Sequence, residues 1–509
     1  MTTTIDGRSL TLEQLFRVSL EEDQVSLAAE AVARMRASRG VVERLLASGK
    51  TAYGINTGFG KLASVRISPD QVSQLQLNLV RSHACGVGEP LSEAETRAMM
   101  LLRANALAKG LSGMRPILVE TLCQMLNAGV HPVIPSQGSV GASGDLAPLA
   151  HLAQVVVGEG RARWKGEVLP GGEAMRRAGI LPVILEAKEG LSLLNGTQGM
   201  LALLGLALRE MQILADTADV AAALSLDALR GSPAAFDERI TGARPYRGAI
   251  ATARNLARLN EGSLIRESHR SAEKDPRVQD AYSLRCTPQV HGAVRDALDQ
   301  ASAIAAVELN SATDNPLVFV KESALNGGDI ISGGNFHGQP LAMAADQVAV
   351  AAATLSGISE RRIEQMTNPL TSLLAAFLTP EPGLNSGFMI TQVTAAALTS
   401  ENRALATPHS VDSITTSGNQ EDYVSMGMSG SRRLGRMLAN LRYILSIELL
   451  CACQGIDLLA PLKSGRLASE AHRAVRQVSE FVSADRELAG DIERVSKLAA
   501  EGAFASLLR

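Results

Sequence analysis

Aromatic side chains are scarce in this chain: phenylalanine, tyrosine and tryptophan make up 3% of 509 residues, and Trp164 is the one tryptophan. A core so poor in rings has to be filled by Leu, Ala, Val, Ile and Met. Small alanines let helices approach closely, so packed helices are favoured. Excess charge is lacking too: 49 Lys and Arg against 52 Asp and Glu leave a net charge of −3. That balance offers no electrostatic grip on nucleic acid or on an anionic membrane, and neither partner is expected. Cysteines are few, odd in number and scattered (Cys85, Cys123, Cys286, Cys451, Cys453), with no second pair near Cys451 and Cys453. They read as reduced thiols of a cytoplasmic protein rather than a disulfide framework or a metal site. The N-terminus, Met1-Thr2-Thr3-Thr4-Ile5-Asp6, lacks the basic-then-apolar order of a secretion signal, so no export is expected. The uncharged stretch from Pro382 to Ser400 contains Asn385, Ser386, Thr391, Gln392 and Thr394. It reads as a buried bundle helix, not a membrane span.

What is present is an ordinary globular composition, 46% hydrophobic and 20% charged, long enough for two or more domains. Helix starts are legible at Thr11, at Ser68-Pro69-Asp70-Gln71 and at Ser92-Glu93-Ala94-Glu95, the last two as capping boxes. His131-Pro132-Val133-Ile134-Pro135 is extended, because each proline disfavours helix in the residue before it. Leu149 to Val157 fits a helix or a buried strand, and Arg163 to Pro170 a small hairpin. After residue 200 the chain becomes long apolar-periodic segments: Met200 to Leu229, Gln289 to Leu309, Pro340 to Ile363, Phe388 to Leu405 and Arg432 to Leu459. The expected fold is mainly α, a central bundle of long helices, with residues 1–200 as an N-terminal domain of Gly-rich loops and 201–509 as the bundle domain. Polar breaks interrupt this pattern at 53–60, 82–88, 138–145, 195–199, 279–285, 313–316, 333–337 and 419–423.

One break carries unusual chemistry. In Ala142-Ser143-Gly144 a tight bend would let the Gly144 amide nitrogen attack the Ala142 carbonyl carbon. Loss of two waters, one from the Ser143 hydroxyl, would leave a five-membered ring with an exocyclic methylene, a built-in electrophile. Gly144 suits the attack because it has no Cβ and tolerates backbone angles closed to other residues. Taken alone, the tripeptide reads as a turn ahead of a helix, with Ser143 or Asp145 as N-cap. His83 likewise reads alone as a helix-end histidine, and Glu421 as a solvated acid.

The breaks taken together resemble the histidine ammonia-lyases of the aromatic amino-acid lyase family, whose members carry a methylidene-imidazolone prosthetic group. The resemblance rests on Tyr53 through Gly60, Ser82-His83, Gly138 through His151, Leu194-Asn195-Gly196-Thr197-Gln198, Val278 through Cys286, Ser332 through His337, and Gln420-Glu421-Asp422. It extends over nearly the whole chain. It implies a 4-methylidene-imidazol-5-one formed autocatalytically from Ala142, Ser143 and Gly144, with no external cofactor, and elimination of ammonia from L-histidine to give trans-urocanate. It also implies roles. Tyr53 matches the loop tyrosine that takes the β-proton. Asn195 holds the prosthetic group and the amine. Gln279 and Tyr282 line the site, Tyr282 as a proton relay, and Arg285 clamps the substrate carboxylate. Phe336 packs near the ring, while His83, Gln420 and Glu421 address the imidazole. A polar, acidic lining suits imidazole and disfavours a bare phenyl ring. The family further implies a homotetramer with sites drawn from three chains. Gly338-Gln339 and Tyr423 depart from the pattern beside the site, which keeps a tyrosine or phenylalanine ammonia-lyase or 2,3-aminomutase as the alternative. A non-catalytic helical scaffold is the other.

Overall fold

The computed structural model describes residues 1–49, 54, 55, 57, 67–271, 273–275, 277–321 and 327–508. The chain is mainly α-helical and forms two compact units. The first comprises 1–206, 302–346 and 408–433, and the second 207–301, 347–407 and 434–509. A single division at residue 200 leaves out the two later segments that rejoin the first unit.

The first unit opens with β1 (Thr2–Ile5) in parallel with β2 (Gln24–Leu27), joined through α1 (Leu12–Leu20). A reciprocal cap starts α1: the Gln14 N–H donates to Thr11 Oγ1, and the Thr11 N–H to Gln14 Oε1. Next comes α2 (Ala29–Ala47). The predicted cap at Ser68 does not form. Its hydroxyl donates to Gln71 Oε1, Pro69–Gln71 is a 3-10 turn, and α3 (Val72–His83) begins only after it. β3 (Val87–Pro90) leads to α4 (Glu93–Ala108), which has the expected Ser92–Glu95 box. From Thr96 to Ala108 every residue of α4 is buried, including Arg97, Arg103 and Asn105. Then follow α5 (Pro116–Asn127), β4 (His131–Pro132), β5 (Pro135–Gln137) and α6 (Leu146–Val156), so the segment that also fitted a strand is a helix. The hairpin is β6 (Arg161–Trp164) and β7 (Glu167–Pro170), turned by Lys165 and Gly166 at φ 48° and 83°. α7 (Gly171–Arg177), α8 (Glu189–Leu194) and the start of α9 (Gln198–Ala228) follow. The antiparallel pair β8 (Leu317–Val320) and β9 (Gly328–Ile331) comes from the first returning segment.

The second unit holds most of α9, then α10 (Glu238–Ala243), α11 (Arg247–Asn260), α12 (Leu264–Ser268), the single turn α13 (Tyr282–Arg285) and most of α14 (Thr287–Leu309). It continues through most of α15 (Gln339–Thr367), α16 (Met389–Leu405), most of α17 (Gly427–Asp457), α18 (Arg466–Val478) and α19 (Ala489–Ala500). Four long helices are tied by buried polar groups as well as by apolar packing. His291 on α14 lies 2.7 Å from Asp219 on α9. Arg362 on α15 grips Glu448 on α17 with two hydrogen bonds, 2.5 and 3.0 Å. By length and composition α15 could cross a membrane, but most of its apolar window is buried within the protein. The stretch 382–400 departs from expectation. Its helix starts only at Met389, and Ile390 and Val393 on α16 are exposed rather than buried.

Candidate active site

The loop at 138–145 is held in the first unit by contacts that leave little freedom. Gly144 forms a parallel bridge with Gly196, and the Asp145 N–H donates to the Gly196 carbonyl at 2.7 Å. Gly144 has φ 73°, and a Cβ there would stand 2.0 Å from the Gly196 oxygen, so no other residue fits. α6 starts two residues after Gly144 and α9 two residues after Gly196, so the positive ends of both helices meet at this bridge. On the other side, the Gly141 carbonyl accepts from Ser425 Oγ (2.9 Å) and the Gly338 N–H (3.1 Å). The Met426 N–H donates to the Val140 carbonyl at 2.8 Å.

Asp145 occupies the N-cap position of α6 but does not cap it with its side chain. Its carboxylate instead accepts from Ser139 Oγ (2.8 Å) and from the Met200 N–H (2.8 Å) in the first turn of α9. Complete burial pushes its pKa up to about 6, despite the bonds from Met200, Ser139 and Gly199. Arg103 secures the facing turn. Its guanidinium donates to the carbonyls of Asn195 (3.0 Å) and Ser192 (2.5 Å) and to Gln198 Oε1 (2.5 Å). Burial lowers its pKa to about 10, which leaves it a cation at neutral pH.

Several sequence-predicted residues converge on the tripeptide. Asn195 is satisfied at both ends when Nδ2 donates to the Ser143 carbonyl (2.9 Å) and Oδ1 accepts from the Asn315 N–H (3.1 Å). The Ser143 hydroxyl donates to Glu421 Oε1 at 2.9 Å, while Glu421 Oε2 accepts from Thr416 Oγ1 at 2.7 Å. Glu421 is therefore a fixed, half-buried acceptor, not a solvated acid. His83, in the last turn of α3, has Nδ1 2.9 Å from the Leu79 carbonyl. That oxygen can only accept, so Nδ1 carries the proton and Nε2 keeps its lone pair. Burial depresses the His83 pKa, opposed by the Leu79 bond and by the charge of Glu421. Ala142 is buried, Phe336 is half-buried two residues before Gly338, and Gln420 is exposed beside Glu421.

Not every predicted residue falls in this cluster. Gln279, Tyr282 and Arg285 belong to the second unit, at and on α13, and all three are exposed, Tyr282 by 71%. Tyr53 lies outside the described residues. The two flanking departures have partners: the Tyr423 ring stacks on His337 at 6.1 Å, and Gln339 Nε2 donates to the Ser410 carbonyl at 3.1 Å. Sequence reasoning gave no role to Thr416, Asn315, Ser139 or Arg103. Ser139 and Asn315 lie in the polar breaks at 138–145 and 313–316, and Arg103 is a cation inside the apolar run from Met99 to Leu107.

Residues 10–477 match the aromatic amino acid lyase family. The histidine ammonia-lyase of Koribacter versatilis is 54% identical over 99% of both chains. Among solved structures, the histidine ammonia-lyase of Trypanosoma cruzi superposes with a TM-score of 0.91 at 42% identity, covering 100% of this chain and 95% of that one. A tyrosine aminomutase from Streptomyces globisporus superposes with a TM-score of 0.94 at 38% identity, covering 100% and 98%. The fold is thus the helical, aspartase-like fold of the carbon–nitrogen lyases. The chain belongs to the aromatic amino acid lyase family.

Proposed function

We propose that this protein is a histidine ammonia-lyase, which eliminates ammonia from L-histidine to give trans-urocanate. The observation that carries the reading is the Glu421 carboxylate, whose Oε1 stands 2.9 Å from the Ser143 hydroxyl that ring formation would remove, with His83 in the field of the same carboxylate. An anionic acceptor at the tripeptide and a neutral imidazole in its field suit a heteroaromatic guest with an N–H. They would go unpaired against a phenyl ring, at about 1–3 kcal/mol each.

The residues also fit a methylidene-imidazolone built from Ala142, Ser143 and Gly144. The bend at Gly144 closes against Gly196 with no room for a side chain, and the Ser143 carbonyl, which stays in such a ring, already has the Asn195 amide as donor. That group supplies an electrophilic methylene conjugated with this carbonyl. In our reading Asn195 draws electron density toward the carbonyl oxygen, aided by the N-termini of α6 and α9. Arg285 holds the substrate carboxylate through its planar fork. His83, Gln420 and Glu421 orient the imidazole, and Phe336 packs against the ring. Gln279 and Tyr282 complete the lining, with Tyr282 passing a proton. Tyr53 removes the β-proton, for which its pKa must fall below the ordinary value of about 10.

We further propose a cytoplasmic homotetramer whose sites combine residues from different copies. The exposure of Tyr282 and Arg285, and of the apolar Ile390 and Val393 on α16, supports assembly.

The test is direct. Purified protein given L-histidine should generate the ultraviolet absorbance of urocanate, and its intact mass should lie two waters below the encoded chain. Faster formation of coumarate, cinnamate or a β-amino acid from tyrosine or phenylalanine would overturn the substrate assignment. An unshifted mass in active protein would overturn the prosthetic group.

A further inference from the structure

The short turn α13 presents Tyr282 and Arg285 to solvent, yet its backbone is held from inside the second unit. The Ser283 carbonyl accepts from Arg362 Nη1 (3.3 Å) and from Thr287 Oγ1 (3.0 Å). Arg362 is fully buried and fixed on all sides. Its Nε and Nη2 grip Glu448, whose two oxygens also accept from Ser225 (2.8 Å) and Ser359 (2.5 Å). Its Nη1 lies 3.4 Å from His291 Nε2. An arginine has only protons to offer, so that nitrogen accepts, and His291 donates through Nδ1 to Asp219. Asp219 in turn accepts from Arg295 at 2.6 Å. Burying two such ion pairs contributes little net stability compared with apolar residues of the same size. What the network does provide is a directed donor at one backbone oxygen.

We infer that Arg362 and Thr287 are positioning residues for substrate carboxylate binding: by clamping the Ser283 carbonyl they set the angle at which α13 presents Arg285 and Tyr282. The inference rests on the proposed role of Arg285 as carboxylate clamp. A planar fork meets two carboxylate oxygens only in a narrow range of orientations, so a loose α13 weakens that contact before any other.

The experiment compares inhibition of the assembled enzyme by imidazole-4-propionate, which has the carboxylate, and by 4-methylimidazole, which does not. The ratio of the two inhibition constants isolates carboxylate recognition, and a mere loss of folded protein does not move it. For Arg362→Lys the ratio should collapse by about tenfold, the worth of one charge-assisted hydrogen bond. Thr287→Val, a gentle change that keeps the fold if Arg362→Lys does not, should reduce it about threefold, as expected for a neutral bond. Thr287→Ser should restore it. Arg285→Ala serves as reference. If Arg285→Ala abolishes the discrimination while Arg362→Lys and Thr287→Val leave it intact, the positioning role is wrong and the clamp stands. If Arg285→Ala leaves the ratio unchanged, the clamp itself is wrong and the inference falls with it.

Discussion

Replacing Asp145 with asparagine should stabilise the protein above neutral pH, and the structure gives both the sign and the size. The carboxylate is wholly buried, and its pKa rises from 3.8 to about 6. That is about two units at 1.36 kcal/mol each, or roughly 3 kcal/mol of preference for the neutral form. The folded value is the higher one. The contribution is therefore fully present below about pH 3.8 and is lost as pH rises through about 6. Asparagine is neutral throughout and can keep the bonds with Met200 and Ser139. Its Oδ1 accepts from the Met200 N–H, and its Nδ2 donates to Ser139 Oγ. Ser139 already accepts from the Gly141 N–H and can turn its own proton to the Gly144 carbonyl, 3.4 Å away. With an unfolding entropy of about 2 cal/mol/K per residue, a chain of this length shifts its midpoint about 1 °C per kcal/mol. The thermal midpoint of wild type relative to Asp145→Asn should thus fall by about 3 °C between pH 4 and pH 7, as read by scanning calorimetry. Asp145→Ala offers the Met200 N–H no acceptor and should cost about 1–3 kcal/mol relative to Asp145→Asn at any pH. Parallel pH profiles for wild type and the asparagine variant would refute the reasoning, since they would mean the carboxyl feels no net burial.

Other perturbations follow from single contacts. Gly144→Ala drives a Cβ into the Gly196 carbonyl, so the loop cannot close and the protein should show neither lyase activity nor loss of water by intact mass. Glu421→Gln keeps an acceptor for Ser143 but removes the charge beside His83, and steady-state urocanate formation should fall by about 100-fold or more while the mass shift persists. Asp314→Asn strips the fully buried Lys188 of its partner, 2.7 Å away, and should cost about 3–5 kcal/mol in denaturant unfolding, recovered when Lys188 is also made Met. Val393→Glu on the exposed face of α16 should lower the assembly state seen by light scattering without altering the helical circular dichroism.

How much of this was legible in the sequence depends on what each feature needs. The helices from Gln198 onward show themselves because a buried stripe repeats every 3.6 residues, a signal carried by the chain itself. The hairpin at Lys165-Gly166 was legible for the same reason, since its turn chemistry is local. Ser68 failed as a cap because its hydroxyl bonds the Gln71 side chain instead of the backbone, a competition that spacing does not resolve. The uncharged run at 382–400 misled because absence of charge does not say which face is covered, and α16 leaves Ile390 and Val393 uncovered.

The site divides along the same line. Ala142, Ser143 and Gly144 can be read as an electrophile because the chemistry lies in three adjacent residues. What holds them lies far along the chain. Thr416 fixes Glu421, Asn315 fixes Asn195, and Arg103 fixes the turn that Gly144 leans on. None of these three touches the tripeptide, so no motif around residue 143 contains them. Asp145 shows the limit most clearly. Beside a helix start it reads as that helix's cap, and only the fold reveals that its carboxylate serves the other helix, α9, through Met200. Local sequence thus names the reactive atoms, whereas their orientation is held by donors and acceptors whose only link to them is three-dimensional.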